Sequence, residues 1–485
     1  MYEKHLCSKQ DGASVRCLMK TRWRPRATRS VTIIFFFLVW SLLLSTLAEA
    51  GFREQVFETT LPNGLKVILL ENDKAPVVTF QVWYRVGSRN EARGKTGLSH
   101  LLEHMMFKGT ESVGPEEFSR MIQESGGNYN AFTSYDFTGY FENLSADRIR
   151  VALNLESDRM QKLVLRDEDF HTERQVVMEE RRLRTDDNPK AFLMEQLAAT
   201  AFQRHPYRWP IIGWMDDLAR LTLEDLKVHY RTYYNPANAF LVVVGDFKRE
   251  ELLDQIAKAF GSVPKGVAPN QERDIDPPQI GERRIIVKKE THLPFLAMAF
   301  RVPNLQDPDS YVLEVIATLL SDGKSSRLYQ SLVRDKRIAF DIEADHSLLS
   351  HDPGLFVVAA EPLPGKDVDD LERAIEEALD RLQREPVGEH ELEKAKNQIE
   401  AFHISSQDSL FVQAMFLARY EIALGWEAID DYIPAIRRVT ARDIQRVAAR
   451  YLTPHNRTVA TLVPLPVQQG KPRPGKFSIK TKMIR

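Results

Sequence analysis

Two histidines and one glutamate lie at helical spacing in the segment GLSHLLEHMMFKGT, residues 97–110. On an α-helix His100 and His104 lie one turn apart on one face, the spacing at which two imidazoles bind one zinc ion. Glu103 falls on the same side and is placed to take a proton from a water molecule at the metal. The alternative is an amphipathic helix that carries two histidines by chance. Only 12 of the 485 residues are histidine, however, and the apolar flanks predict a buried helix, in which ionisable groups need a charged or metallic partner.

The order H-x-x-E-H is the reverse of the common H-E-x-x-H arrangement and occurs in inverted zinc peptidases. With its flanks, the segment resembles the pitrilysin/insulinase family of zinc metallopeptidases, which includes the mitochondrial processing peptidase. The resemblance extends from about Phe52 to Pro464. It implies hydrolysis of peptide bonds, one Zn²⁺ per chain and a third metal ligand, a glutamate on a downstream helix.

A predicted helix at residues 167–184, DEDFHTERQVVMEERRLR, offers candidates for that third ligand. Glu173 and Glu180 are seven residues apart and share a helix face, whereas Glu179 is turned by about 100° from Glu180. By the resemblance, Glu180 is the third metal ligand and Glu173 is an acid that orients a ligand or a proton. The alternative is a solvated helix face whose carboxylates form salt bridges.

An alternating, aromatic segment at residues 128–141 predicts a β-strand. A bare edge strand suits an unfolded peptide because it offers unpaired N–H and C=O groups. By the resemblance, this N-A-x-T strand holds the substrate in extended form, and Asn130, Ala131 and Phe132 are substrate contacts. The alternative is that these are strand residues packing a core, which applies most strongly to Phe132.

An internal repeat predicts the architecture. Residues 221–246 align without gaps with residues 439–464, at an offset of 218 (439 − 221), and the identical pairs include Thr222/Thr440. In both copies the pattern predicts a helix, a proline-containing turn and a β-branched strand. We therefore predict an α+β fold of two homologous α/β-sandwich domains, each an antiparallel-rich sheet packed by helices. The resemblance adds that the chain forms one half of a clamshell.

Changes in composition predict the domain boundaries. A polar, proline-rich stretch before residue 283 predicts a linker between the two copies. The second copy lacks H-x-x-E-H, so it is expected to shape the cleft without carrying the chemistry. The predicted segments are a signal peptide or N-terminal anchor (1–50), a peptidase domain with the zinc site (51–265), a linker (266–282), a homologous inactive domain (283–465) and a basic tail (466–485).

The second copy carries a segment, residues 325–340, that resembles the family's source of an arginine and a tyrosine. In the family these two groups hold the substrate and stabilise the reacting carbonyl, often from the half or subunit opposite the zinc. Arg334 fits the arginine, but Phe340 stands at the tyrosine position and cannot donate a hydrogen bond. We therefore expect a homodimer, or a heterodimer with a zinc-less homologous subunit that supplies the missing groups. The alternative is that Arg334 is a surface helix residue and a water molecule serves instead.

The N-terminus predicts export to the bacterial periplasm. A basic stretch precedes an apolar run at residues 31–47, and an A-E-A sequence before Gly51 matches a signal peptidase site. The alternative is an uncleaved membrane anchor, since the run is just long enough to span a bilayer. Cys7 and Cys17 precede the run, so the mature chain would contain no cysteine, which fits an oxidising periplasm.

The composition is that of a soluble globular protein, with 43% hydrophobic residues, 28% charged residues and a formal charge of −2. This balance argues against a nucleic-acid partner, and membrane contact is expected only if the N-terminal segment is uncleaved. The sequence as a whole predicts a zinc endopeptidase that hydrolyses short or unfolded polypeptides, with water activated by Glu103. The alternative is a catalytically silent peptide-binding or scaffold subunit of a heteromeric peptidase complex.

Overall fold

The structure is a computed structural model, and it describes residues 51–270 and 274–466. The predicted export segment, both cysteines and all but the first residue of the predicted basic tail lie outside the described residues. Within those residues, no helix has both the length and the apolar character that crossing a bilayer requires.

The first sheet lies in the N-terminal half of the chain and contains six strands. These are β1 (Val56–Thr60), β2 (Lys66–Glu71), β3 (Val77–Tyr84), β4 (Asn128–Thr133), β5 (Thr138–Ser145) and β6 (Ala239–Gly245). Their order across the sheet is β1-β2-β6-β3-β5-β4. Only β2 and β6 are parallel neighbours, and the other pairs are antiparallel. β4 pairs with β5 alone, so it is an edge strand.

The second sheet lies in the C-terminal half and contains five strands. These are β7 (Arg283–Glu290), β8 (Phe295–Val302), β9 (Ala339–His346), β10 (Gly354–Pro362) and β11 (Arg457–Leu465). Their order is β7-β11-β8-β10-β9, with β7 and β11 parallel and the other pairs antiparallel. β9 is an edge strand of this sheet, as β4 is of the first.

Helices pack on both sheets. The N-terminal half contains α1 (Phe52–Gln55), α2 (Leu98–Met105), α3 (Glu117–Glu124), α4 (Ile149–Lys162), α5 (Asp167–Arg181), α6 (Pro189–Ala201), α7 (Met215–Arg220), α8 (Leu223–Tyr233) and α9 (Arg249–Phe260). The C-terminal half contains α10 (Asp309–Ser321), α11 (Val368–Arg384), α12 (Glu389–Ser406), α13 (Leu410–Ala423), α14 (Ile429–Arg438) and α15 (Ala441–Tyr451). The predicted α+β fold of two homologous halves is confirmed.

The sequence repeat corresponds to a repeat in chain path. The strand order β2-β6-β3-β5-β4 of the first sheet matches β7-β11-β8-β10-β9 of the second, including the single parallel pair. The repeated helices α8 and α15 begin at equivalent capping boxes, in which Thr222 and Asp225, or Thr440 and Asp443, exchange hydrogen bonds. Each box satisfies two N–H groups that a helix N-terminus would otherwise leave unpaired.

Each half also supplies a helix that packs on the sheet of the other half. Leu193 and Leu197 of α6 form an apolar cluster with Ala297 of β8. Leu417 of α13 belongs to the large core that also contains Trp83 of β3. The free energy gained by burying apolar surface is roughly proportional to its area, so these shared apolar clusters hold the two halves together. The boundaries predicted at residues 265 and 283 stay a prediction.

Candidate metal and catalytic site

The N-terminus of α2 is fixed by a buried carboxylate. The two oxygens of Glu91 accept the N–H groups of Gly97 and Ser99, each at 2.7 Å. Gly97 has a φ of 92°, in the left-handed region that glycine adopts without strain. On the helix, Leu101, Leu102 and Met105 are buried. These contacts set the position of α2, and with it the direction of its polar face.

His100, His104 and Glu180 converge although they come from two helices. Glu180 Oε2, on α5, lies 3.8 Å from His100 Nε2 and 3.4 Å from His104 Nε2. A tetrahedral zinc ion with bonds of about 2.0–2.2 Å separates its ligand atoms by about 3.4 Å, so these three donors fit zinc. Among the described residues, this is the one group of three or more His, Cys, Asp or Glu side chains close enough to hold a metal ion.

Glu173 engages the other ring nitrogen of His104. Its Oε1 lies 2.8 Å from His104 Nδ1, and its Oε2 pairs with Lys108 Nζ at 2.5 Å. When Nδ1 carries the proton of this bond, Nε2 presents its lone pair toward Glu180 and the metal position. This is the contact that a carboxylate makes when it orients a metal-binding histidine.

The charges in the cluster are arranged to favour a bound cation. Burial lowers the pKa of His100 to about 4, and the nearby His104 acts in the same direction. Burial also opposes the charged form of His104, but hydrogen bonds to Glu173 and Glu180 outweigh it and raise its pKa to about 9. For Glu180, burial is outweighed by the hydrogen bond to His104 and the charges of His100 and Arg184, which lower its pKa to about 2. A metal ion that binds here would replace the proton of His104.

Glu103 lies beside this cluster and bonds to the edge strand. Thr133 Oγ1, at the end of β4, donates a hydrogen bond to Glu103 Oε2 at 2.5 Å. Desolvation raises the pKa of Glu103 to about 7, in opposition to the lowering effect of the Thr133 hydrogen bond. A carboxyl group whose pKa lies near neutrality can accept a proton and return it.

The three residues predicted to contact substrate lie on β4, but their side chains have different surroundings. Asn130 is exposed, and its Oδ1 accepts the N–H of Ala131 at 2.9 Å. Phe132 packs against Trp83, with ring centroids 5.1 Å apart. Its side chain therefore serves the core, as the alternative interpretation expects. The free main-chain edge of β4 is what remains for a peptide to pair with.

Arg334 lies outside the cluster. It belongs to a π-helical segment, Tyr329–Asp335, where its side chain is 61% exposed and pairs with Asp335 at 2.9 Å. Phe340, on β9, is 63% exposed. Within the described part of the chain, the ion pairs of the metal cluster do not include Arg334.

Three further residues at this site were missed from the sequence. Thr133 stands in the N-A-x-T segment, and strand alternation from Ala131 would have placed it on the same face of β4. Lys108 and Arg184 follow His104 and Glu180 by four residues each, the spacing at which side chains share a helix face. Arg184 Nη1 pairs with Glu180 Oε1 at 2.9 Å. Helical spacing could therefore have found both cations.

Comparison with known proteins agrees with this geometry. A family model described as "Insulinase (Peptidase family M16)" matches residues 66–213, and one described as "Peptidase M16 inactive domain" matches residues 220–399. A zinc protease, PqqE of Helicobacter pylori, is 34% identical over 435 residues, which cover 87% of this chain and 97% of the relative. The chain belongs to the insulinase family, peptidase family M16. The resemblance stated from the sequence is thereby confirmed.

Two further comparisons extend this result. The probable mitochondrial-processing peptidase subunit beta of Arabidopsis thaliana is 27% identical over 435 residues, 87% of this chain and 80% of the relative. The crystal structure of a protease from Helicobacter pylori superposes with a TM-score of 0.81 at 34% identity, covering 84% of this chain and 99% of that one. Membership of family M16 and the names of these relatives support a zinc-dependent peptidase.

Proposed function

We propose that this M16 chain is a zinc endopeptidase that hydrolyses peptide bonds in short or unfolded polypeptides. The observation that carries the proposal is the junction of three parts. His100, His104 and Glu180 form a cluster with zinc-ligand chemistry, and Glu103 lies beside that cluster without belonging to it. Glu103 accepts a hydrogen bond from Thr133 of the edge strand β4. Each part has a use in peptide hydrolysis, and no simpler structural role requires all three together.

His100, His104 and Glu180 are the residues that would hold the zinc ion, and Glu173 would orient His104. Bound Zn²⁺ supplies Lewis-acid polarisation and lowers the pKa of water in its vicinity. Two imidazoles and one carboxylate make a donor set that suits zinc among the divalent ions.

Glu103 is the proposed general base. Its carboxylate takes a proton from the attacking water, and the O–H bond breaks as the water oxygen bonds to the peptide carbonyl carbon. The same carboxyl group then gives the proton to the amine nitrogen as the C–N bond breaks. Thr133 fixes one carboxylate oxygen, which leaves the other free to face the reaction.

The edge strand β4 is the proposed binding surface for the substrate main chain. An extended peptide that pairs with β4 gains main-chain hydrogen bonds that are independent of its sequence. Asn130, Ala131 and Phe132 would contribute main-chain contacts, and the exposed Asn130 could also contribute its side chain. A folded protein cannot present an isolated strand in this way, so the substrate is expected to be short or unfolded.

The complete enzyme is proposed to contain a second chain. Phe340 lacks the hydroxyl found at this position in the family, and Arg334 is exposed and bonded only locally in the described residues. In a homodimer the second copy would bring Arg334 to the cluster, and in a heterodimer a zinc-less homologue would bring both groups. The Arabidopsis relative is itself named as a subunit, which supports a partnered protein. Export to the periplasm is also proposed, on the sequence of residues 1–50.

The test compares Glu103→Gln with wild type, both beginning at Gly51, for zinc content and for cleavage of a quenched peptide library. Wild type should hold one zinc and cleave peptides, and the variant should keep the metal but lose at least about 100-fold in rate. Glu124→Gln is the matched control, because Glu124 is exposed and pairs with Arg120. Wild-type rates in Glu103→Gln would exclude Glu103 as the base. Zinc without cleavage in wild type would point to a missing partner subunit or to the silent-subunit alternative.

A further inference from the structure

A cleft lies apart from the candidate metal site. It has a volume of about 810 Å³ and lies between the loop that precedes α2 and the segment that connects α6 to α8. None of the candidate metal-site residues lines it. Sites for small molecules typically have volumes of about 300–1,000 Å³, so the cleft is large enough for such a ligand. The side chains used in the following argument are Arg93, Arg204, Arg208, Trp209, Trp214 and Arg220.

Two of the four arginines in this cleft have no acidic partner among the described residues. Arg204 pairs with Asp274 at 3.1 Å, and Arg220 pairs with Asp217 at 3.6 Å. Arg93 and Arg208 form no ion pair with any described residue. Guanidinium groups bind carboxylate and phosphate with planar, often bidentate hydrogen bonds. Arg208 donates one N–H to the Gln203 carbonyl, and the cleft is also lined by the acids Glu91, Asp217 and Asp274. The remaining N–H groups of Arg93 and Arg208 are available for an anion.

Two tryptophans give the cleft an aromatic lining. Trp209 and Trp214 are both half-buried, so each indole ring presents part of its surface. The guanidinium of Arg181 lies 5.6 Å from the centroid of the Trp214 ring, which restrains that ring. Indole rings stack well on flat ring systems. The combination with the arginines favours a ligand that carries both a flat ring and a negative charge.

We propose that this cleft binds a small organic anion with a flat ring, of the class that includes nucleoside monophosphates and aromatic carboxylates. Arg93 and Arg208 bind the anionic group, and the indole rings contact the ring system. The site is separate from the peptidase site, so the proposal does not rest on the proposed function.

The wall of the cleft is bonded to both helices of the candidate metal site. The main-chain N–H of Trp214 donates to Thr96 Oγ1 at 2.9 Å, directly before α2. Arg181, next to Glu180 on α5, donates to the Gly213 carbonyl at 2.8 Å. Gly213 itself lies so close to Thr96 that an added Cβ would be 2.5 Å from the main-chain carbonyl oxygen of Thr96. A bound ligand would therefore restrain the loop that precedes α2 and the segment that contains Gly213, which together hold α2 and α5 in place.

The test is calorimetric titration of the chain that begins at Gly51 with adenosine 5′-monophosphate and, separately, with indole-3-acetate. At least one of them should bind once per chain with a Kd below about 1 mM. Adenosine and indole, which lack the charge, and succinate, which lacks the ring, should each bind at least about tenfold more weakly. Preference for the monophosphate would indicate a nucleotide, and preference for the indole acid would indicate an aromatic carboxylate. No saturable binding of either anion would overturn the proposal.

Variants locate the site. The double variant Arg93→Gln/Arg208→Gln should lose at least about tenfold in affinity for the bound probe. Arg148→Gln is the control, since Arg148 is exposed and pairs with Asp147 elsewhere on the chain, and it should bind as wild type does. Hydrogen exchange should show added protection of residues 91–97 and 203–214 in the presence of the probe. Arg93→Gln alone, at an exposed loop position, serves if the double variant does not fold. Unchanged affinity in the folded arginine variant would overturn the proposal.

Discussion

Glu173→Gln is expected to weaken zinc binding, because the carboxylate of Glu173 accepts from two donors at once. One oxygen faces His104 Nδ1 at 2.8 Å and the other faces Lys108 Nζ at 2.5 Å. Glutamine keeps one acceptor oxygen, and its NH₂ group must then face a second donor. The variant therefore loses at least one charge-assisted hydrogen bond from the group that orients His104.

The size of the effect follows from that loss. A hydrogen bond to a charged group contributes about 1.5–3 kcal/mol, which corresponds to about 10–100-fold in zinc affinity. Glu173 also helps raise the pKa of His104 to about 9, so it favours the proton that competes with the metal. The loss of zinc affinity should thus be largest near pH 9, where proton competition is weak. It should shrink toward neutral pH, where the variant has less proton competition to overcome.

Competition with a fluorescent chelator at several pH values measures the zinc dissociation constant directly. Glu179→Gln is a control on the same helix, because Glu179 is 58% exposed and pairs with Arg182. The control should stay within about twofold of wild type. If Glu173→Gln also stays within about twofold of wild type at alkaline pH, Glu173 does not orient His104 and the reasoning fails.

Three further predictions test the surroundings of the site. Thr133→Val, which removes the hydrogen bond to Glu103, should lower kcat about tenfold with little change in KM, and Thr133→Ser should restore kcat; equal kcat in steady-state kinetics would show that the bond is dispensable. Burial lowers the pKa of His229 to about 3. The stabilisation that depends on neutral His229 is therefore fully present above about pH 6.5 and is lost as pH falls toward 3. In urea titrations, acid should lower the free energy of unfolding of His229→Gln less than that of wild type, with a difference of about 2 kcal/mol at about pH 5. Gly94 and Gly213 have φ values of 84° and 87°, but only at Gly213 would a Cβ clash with backbone. Gly94→Ala should cost about 1 kcal/mol and Gly213→Ala at least about 3 kcal/mol in denaturant unfolding, and equal costs would contradict the clash.

The local part of the site could be predicted because helix geometry fixes it. The spacing of His100, Glu103 and His104 needs only that α2 be a helix, and α2 spans Leu98–Met105. Likewise the seven-residue spacing of Glu173 and Glu180 placed both on the inner face of α5 and left Glu179 exposed. The repeat was predictable for a similar reason, since capping boxes and proline turns are local signals.

The tertiary part could not be predicted in this way. The hydrogen bond from Thr133 to Glu103 depends on β4 lying beside α2, and no sequence period encodes that distance. The exchange of α6 and α13 between the halves was also missed. Both helices carry apolar residues that any sheet could bury, so their composition alone does not identify the sheet they pack on. Phe132, which faces inward, shows the same limit. Strand alternation assigns its side chain to a face of the sheet but does not identify the residues that it packs against.

Equivalent helices of the two halves present different faces, and among the described residues only the first half brings metal-ligating side chains together. α10 follows β8 as α2 follows β3; the Asp309 N–H at its start donates to Asp307 Oδ1 at 2.8 Å, and its apolar face buries Leu313 and Ile316. Such burial is strong but non-directional. α2 is likewise held at its N-terminus, by hydrogen bonds from backbone N–H groups to Glu91, but it gives one face to ionisable groups. Directional bonds restrain the rotation of a helix about its axis. Such a restraint is needed here because the donor atoms of the three candidate metal ligands must lie within 4.8 Å of one another. The apolar face of α2 packs into the core of the first half, which leaves its polar face to the three donors.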